Sequence, residues 1–148
     1  NLEQYLERVI YKDKVQDLKS CAERGKIMKY KVEIPMKLPS LNEYINECRA
    51  NRFAGAKMKK AVENDISIFV NTLPKFKNPI HITFNWIESN RKRDLDNVAF
   101  AKKFILDALV KCGKMKDDNR NYVLGFVDEF FYSNETKVIL KIEEVGIC

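Results

Sequence analysis

Two aspartates one residue apart, Asp94 and Asp96, are the side chains best suited to chemistry in this sequence. They lie where a predicted strand gives way to a predicted helix, so both carboxylates can converge on one point. Ligands that offer only oxygen suit a hard cation such as Mg²⁺ or Mn²⁺. Three cationic residues directly before them could hold a phosphate beside that cation: Arg91, Lys92 and Arg93. The segment therefore indicates phosphodiester chemistry.

A purely structural interpretation of the same segment stays open at this point. Aspartate is a good helix N-cap, so Asp96 could simply begin the helix. Asp94 could then pair with Arg91 or Arg93.

A lysine on the following helix strengthens the chemical interpretation. Lys103 comes seven residues after Asp96, which on one continuous helix returns it to the same face about 10 Å along the axis. Lysine side chains lean toward the helix N-terminus, so the ammonium could approach the acids and stabilise a developing negative charge. The alternative is an ion pair with Asp107, four residues on. We interpret Asp107 as a structural partner of Lys103.

A second acid pair, Asp117 and Asp118, follows a glycine at position 113 that ends the helix. An extended segment of five residues spans at most about 17 Å, so a third carboxylate could return toward Asp94 and Asp96 or reach a partner subunit. A solvated acidic turn is the alternative. Together the acids and the lysine are the components of a metal-dependent phosphodiester hydrolase.

Cysteine and histidine usage excludes several other chemistries. The four cysteines are far apart, form no CxxC motif and have no companion histidines, so we expect reduced thiols in a cytoplasmic protein rather than a zinc site. We interpret the single histidine, His81, as a strand residue rather than a catalyst. No apolar run approaches the ~20 residues of a membrane span, so we expect no membrane partner.

The positive charge is concentrated in the middle of the chain. The net charge is +6 over 148 residues. Residues 27–118 hold eighteen basic and eleven acidic residues, whereas residues 119–148 hold three and five. Such an excess favours a polyanionic partner. Candidate contacts to a phosphate backbone lie at the start of a predicted helix: Arg52, Lys57, Lys59 and Lys60.

Hydrophobic periodicity predicts a single mixed α/β domain in the order (α)βαβαββ, with helices packed on a mixed sheet. The predicted strands cover residues 30–36, 80–87, 122–132 and 137–145. Helices are predicted over residues 1–24, 53–73 and 97–111, with a loop over residues 37–42. Met28 directly precedes the first strand, so we divide the chain into a helical extension, residues 1–26, and a main domain, residues 27–148.

The motifs resemble those of the RusA family of Holliday-junction resolvases. The matching segments are LPSLNEY at 38–44, RDLDN at 93–97, KKFILDAL at 102–109, Gly113, and KDD at 116–118. The likeness runs over about residues 30–145. The series is far more specific than an isolated DxD.

The resemblance implies a metal-dependent site in which the three aspartates of the family match Asp94, Asp96 and Asp118. Asp117 is a weaker neighbour of this set. The essential lysine of the family matches Lys103. The gap between the DLDN motif and this lysine is about one helical turn longer here than in the best-known form of the family. We choose Lys103 over Lys102 because it lies on the same face of the predicted helix as Asp96. The resemblance further implies a homodimer that cuts four-way DNA junctions by paired, symmetric nicks in DNA recombination and repair.

Two rival functions can be set against this prediction. A non-catalytic, basic DNA-binding module would use Asp94 and Asp96 only as caps and ion-pair partners. A phosphotransferase of the aspartyl-phosphate type would need its nucleophile at the very end of an apolar strand. Residues 90–93 intervene here, and no GDxxxD element follows.

Overall fold

The computed structural model describes residues 27–145 of the chain. The elements follow in the order β1 (Ile27–Ile34), α1 (Leu41–Ala50), α2 (Ala54–Val70), β2 (Ile80–Glu88), α3 (Leu95–Ala99), α4 (Lys102–Lys111), β3 (Val123–Tyr132) and β4 (Lys137–Val145). The predicted helix over residues 1–24, the domain boundary near residue 26, and Cys21 and Cys148 lie outside the described residues. Cys48 and Cys112 are free thiols.

The four strands form one mixed sheet in the spatial order β1-β4-β2-β3. β4 pairs antiparallel with both β1 and β2, whereas β3 pairs parallel with β2. A parallel neighbour needs a crossover connection, and α3 and α4 supply it. The prediction of a single mixed domain with a mixed sheet is therefore confirmed.

The core lies on one face of the sheet. Alternation along β2 places Ile80, Ile82, Phe84 and Trp86 on that face, and all four are at most 1% exposed. They form one hydrophobic cluster with residues of α2 and α4, among them Ile66, Phe104 and Ile105. Because this stripe is buried, β2 is held in place up to Glu88. The segment that carries Asp94 begins directly after it. No helix among residues 27–145 is long and apolar enough to cross a membrane.

Two helices differ from the sequence-based expectations. α1 begins inside the predicted loop 37–42, where the Ser40 hydroxyl accepts a hydrogen bond from the Glu43 amide at 3.2 Å. No residue of α1 is fully buried, yet four of its residues recur at helical spacing: Leu41, Tyr44, Ile45 and Cys48. This pattern and the Ser40 cap could together have indicated the helix.

The second difference is a break in the helix predicted over 97–111. Residues Phe100 and Ala101 separate α3 from α4, and the amides of Ala101 and Lys103 bond to carbonyls three residues earlier. These tighter turns bring the Phe100 ring to 5.6 Å from that of Tyr44 on α1. The prediction of one continuous helix is therefore wrong.

Candidate active site

The acid pair lies just beyond the carboxyl end of β2, next to a parallel strand pair. Asp94 occupies the N-cap position of α3 and Asp96 lies in its first turn. Ligands of open sheets that contain parallel strands characteristically bind outside the carboxyl ends of those strands. The fold therefore places the two carboxylates where a binding site is expected.

The structural roles considered for the pair are not formed. Asp94 makes no side-chain capping hydrogen bond, and both residues are exposed. Within residues 27–145, neither carboxylate has a hydrogen bond or an ion pair. Two acids one residue apart that the described residues leave without a partner are available to an external cation.

Arg93 faces inward and holds the segment in place. Its Nε and Nη2 lie 2.7 and 2.6 Å from Glu88 Oε1, and its Nη1 donates to the Leu38 carbonyl at 2.7 Å. The side chain is 15% exposed, and Glu43 of α1 lies 4.0 Å away. Arg93 therefore joins the end of β2 to the segment that precedes α1, directly beside Asp94.

The other two cations of the segment face solvent. The Arg91 guanidinium lies 4.8 Å from the centre of the Tyr132 ring, and the Lys92 amide donates to Asn90 Oδ1 at 2.9 Å. Both side chains are exposed. Arg91 and Lys92 are therefore the members of the predicted trio that are free to meet a phosphate.

Lys103 contacts the second group of acids and not the first. Its Nζ lies 3.0 Å from Asp107 Oδ1 and 3.2 Å from Asp118 Oδ2. No ion pair joins it to Asp94 or Asp96 in the described part of the chain. Lys103 therefore forms the ion pair with Asp107 that was the alternative drawn from the sequence, and it contacts Asp118 as well.

Asp107 lies between two lysines. Lys59 of α2 is 2.9 Å from Asp107 Oδ2 and 3.6 Å from Glu63. Burial alone would raise the pKa of Asp107, but hydrogen bonds from Lys59 and Lys103 outweigh it and hold that pKa below its usual value. The same bonds to Asp107 raise the pKa of both lysines. Lys59, predicted as a DNA contact, is thus engaged inside the chain, whereas Arg52, Lys57 and Lys60 are exposed.

The loop after α4 uses its two acids differently. Gly113 adopts a positive φ of 72° and turns the chain, as its position in the sequence predicts. Asp117 accepts hydrogen bonds from the Asp118 amide at 2.7 Å and from Asn119 Nδ2 at 3.0 Å, so it shapes the turn. Asp118 points to Lys103 instead.

The described residues do not bring the three predicted ligands into one group. Between residues 27 and 145, no set of three or more His, Cys, Asp or Glu side chains could hold a metal ion by itself. Mg²⁺, however, is usually bound by one or two carboxylates together with water and substrate phosphates. Asp94 and Asp96 fit that smaller requirement.

A second charged contact escaped the sequence analysis. Asp128 of β3 accepts from Trp86 Nε1 at 2.8 Å and lies 2.6 Å from Lys102 Nζ. The Lys102 ammonium also lies 4.0 Å from the centre of the Phe126 ring. The alternation of β3 could have revealed Asp128, because it is an acid on the same strand face as Phe126 and Phe130. Lys102 is largely buried against Asp128, whereas Lys103, which contacts Asp107 and Asp118, is the more exposed of the two lysines.

His81 lies in β2 and is 1% exposed. Burial lowers its pKa, so the neutral imidazole is favoured. The position is consistent with a strand residue.

Comparison with known proteins adds one finding. A protein-family model described as endodeoxyribonuclease RusA matches residues 16–143 of the chain. No curated protein matches the sequence. The matched range includes the acid pair, Lys103 and Asp118.

Proposed function

This chain belongs to the RusA family of endodeoxyribonucleases, as its motifs predict, and we propose that it cuts four-way DNA junctions in a reaction that requires Mg²⁺ or Mn²⁺. Family membership supports a nuclease that acts on Holliday junctions. The metal requirement, the residues and the paired, symmetric nicks are our proposal.

The observation that carries the proposal is a pair of exposed carboxylates, Asp94 and Asp96, that have no partner in the part of the chain the structure describes. Leaving two like charges side by side in solvent contributes nothing to folding, whereas a divalent cation would neutralise both. When bound, the cation would supply an activated water and neutralise charge on the scissile phosphate. Asp94 and Asp96 would hold it.

The remaining side chains have separate tasks in this proposal. Arg91 and Lys92, exposed beside the acids, hold the phosphates that flank the scissile bond. Arg93 fixes the segment through Glu88 and the Leu38 carbonyl. Lys103 stabilises developing negative charge, and Asp118, which it contacts, contributes the third carboxylate.

A homodimer suits a substrate that has approximate two-fold symmetry, because two copies present two matching sites. In the described sheet, β3 is an edge strand and carries exposed apolar side chains: Phe126, Val127, Phe131 and Tyr132. The strand contains two acids and no Lys, Arg or Pro that would protect such an edge. We therefore propose β3 as the surface for the second copy, which Phe131→Asp should convert to a monomer in analytical ultracentrifugation.

The direct test is nicking of a synthetic four-way junction, with linear duplex of the same sequence as the control. We expect two symmetric nicks in the junction with Mg²⁺, and loss of both nicks in EDTA. A chain that binds the junction but leaves it intact would favour the rival function, a non-catalytic DNA-binding module.

Mixing two inactive variants decides which subunit supplies Asp118. If Asp94 and Asp118 act in one chain, a mixture of Asp94→Asn and Asp118→Asn stays inactive, because every site lacks one carboxylate. If Asp118 acts across the dimer, half of the sites in each mixed dimer are complete, and single nicks return.

A further inference from the structure

The corner between α1 and α2 displays an aromatic ring to solvent. Phe53 is 69% exposed, although it immediately precedes α2, a helix with four buried residues. The Arg52 guanidinium lies 5.4 Å from the centre of the Phe53 ring, within the range of a cation–π contact. The ring has no aromatic neighbour among the described residues.

Local contacts fix the backbone that presents this ring. The Phe53 amide donates to Asn51 Oδ1 at 2.9 Å, and the Ala54 amide donates to the Asn51 carbonyl at 3.2 Å. A Cβ atom on Gly55 would clash with Cys48 Sγ, so glycine at this position lets the first turn of α2 lie close against α1. Phe53 is therefore held at a defined corner, and its exposure is a property of the fold.

The surroundings of Phe53 are strongly cationic. Residues 47–60 contain five basic residues and one acid. Lys59 is engaged by Asp107, and the other four basic residues are exposed and form no ion pair in the described part of the chain: Arg49, Arg52, Lys57 and Lys60. Phosphates would be attracted to this corner.

The opposite end of α2 provides a contrast within the same helix. Ile68 is also 69% exposed. Residues 61–74 contain two acids and no basic residue. Two lysines of other elements reach this end, but Lys111 donates to Asn64 Oδ1 and Lys114 to the Asn71 carbonyl. The side chains of Arg52 and Lys57 beside Phe53 have no hydrogen bond or ion pair among the described residues. Phe53, unlike Ile68, also offers a ring on which a base could stack.

A groove of about 590 Å³ opens beside the ring, lined by Phe53, Ala54, Met58 and Ala61 with Glu47, Asn51 and Lys57. Its volume falls within the range of about 300–1,000 Å³ for ligand sites. Apolar walls beside an aromatic ring, with Lys57 in the lining and Arg52 against the ring, suit a flat apolar ligand that carries phosphate.

We propose that Phe53 stacks on a nucleobase that is unpaired or splayed out of the duplex, while Arg52 and Lys57 hold its flanking phosphates. The proposal rests on the proposed function, because a four-way junction supplies such bases at its centre. Proteins that bind single strands combine an aromatic platform with a cationic groove in the same way. α1, about 15 Å long, separates this corner from the Arg93 contacts beside the acid pair, so one junction could reach both.

The test measures binding without cutting, in EDTA, for a junction with 2-aminopurine at its centre and for a linear duplex. Phe53→Ala should weaken junction binding by about 10- to 100-fold and leave duplex binding within twofold. Phe53→Tyr should retain the junction affinity of the wild type and the same change in 2-aminopurine fluorescence on binding. Phe53→Leu should behave like Phe53→Ala, because leucine keeps apolar contact and loses the π face. Ile68→Ala, the control of equal exposure, should match the wild type.

Three results would overturn this inference: junction affinity unchanged in Phe53→Ala, full recovery by Phe53→Leu, or equal losses for junction and duplex. The last would indicate a general backbone contact or a folding defect, which thermal unfolding of the same variants identifies. A wild type that binds junctions through Phe53 and cuts none refutes the nuclease proposal alone. A wild type that binds no junction refutes both.

Discussion

Two groups of aspartates lie along the crossover from β2 to β3, and they differ in whether other described residues bind their carboxylates. Asp94 and Asp96 are exposed and have no hydrogen-bond or ion-pair partner within residues 27–145. Asp107, Asp117 and Asp118 each have a partner, through Lys59, Lys103, Asn119 or a backbone amide. A carboxylate that its own fold neutralises stabilises that fold, whereas one left alone is free for a ligand.

The comparison changes how the motif is understood. The sequence presents Asp107 as a partner of Lys103 and four other aspartates as candidate metal ligands: Asp94, Asp96, Asp117 and Asp118. The structure divides the five by their contacts. In our proposal the first group supplies charge to a cation, whereas the second group ties α2, α4 and the loop before β3 together. Asp118 belongs to the second group by its contacts, and it also contacts Lys103, the lysine proposed for catalysis.

The largest expected effect comes from neutralising the first group. Asp94→Asn or Asp96→Asn should lower the rate of junction nicking by about 10³-fold, since metal stabilisation of a transition state contributes several kcal/mol. Neither change removes a contact, so the free energy of unfolding should stay within about 0.5 kcal/mol of the wild type. Asp65→Asn, a change at an exposed acid of α2, is the matched control. Normal nicking by either variant would erase the distinction between the groups.

A smaller effect should separate Arg93 from Arg91. Arg93→Gln removes charged hydrogen bonds to Glu88 and Leu38, which should cost about 1.5–3 kcal/mol of stability. Displacement of the neighbouring acids should also slow nicking by about 10²-fold. Arg91→Gln should leave the free energy of unfolding unchanged. It should lower the magnitude of the slope of log binding constant against log salt concentration by about one. Urea unfolding and binding at several salt concentrations measure both; identical behaviour of the two variants would contradict the assignment.

Asp107→Asn tests the second group through pH. The pKa of Asp107 is held below its usual value, so its contribution to stability is present at neutral pH and is lost as the pH falls through that lowered value. The variant should therefore be about 1 kcal/mol less stable at pH 7, and the difference should shrink below about pH 4. Urea unfolding at both pH values measures the effect, with Asp65→Asn again as the control. A difference that does not depend on pH would indicate packing rather than charge.

The smallest effect distinguishes two neighbouring lysines. Lys60→Gln removes an exposed charge and should reduce the salt slope of junction binding by about one. Lys59→Gln removes a cation already occupied by Asp107 and Glu63, so it should leave the slope unchanged and cost less than about 1 kcal/mol of stability. Equal slopes for the two variants would show that the ion pair with Asp107 opens when DNA binds.

The strands of the sheet could be predicted because their apolar residues alternate along the sequence. Ile80, Ile82, Phe84 and Trp86 are apolar at every second position, and all are buried. The acid pair could be predicted because it is local in sequence. Contacts between distant residues could not: Arg93 with Leu38, Lys59 with Asp107 and Lys102 with Asp128 depend on how elements pack, which periodicity within one segment does not encode.

Helix ends show the same limit. The 97–111 segment has helical periodicity throughout, yet three-residue hydrogen bonds at Ala101 and Lys103 interrupt it. The apolar spacing is compatible with a helix that has or lacks these tighter turns, so it could not have predicted the break. Lys103 takes the alternative contact with Asp107 in this structure, and its choice over Lys102 stays a prediction that the contacts of Lys102 support.

Binding of Mn²⁺ to the protein–junction complex tests the central distinction most directly. Electron paramagnetic resonance would count the bound ions for the wild type, Asp94→Asn and Asp107→Asn, after subtraction of the Mn²⁺ bound by the junction alone. We predict that Asp94→Asn loses the protein-dependent Mn²⁺ and that Asp107→Asn keeps it. Retention by Asp94→Asn, or loss by Asp107→Asn, would contradict the assignment of the metal to the exposed acid pair.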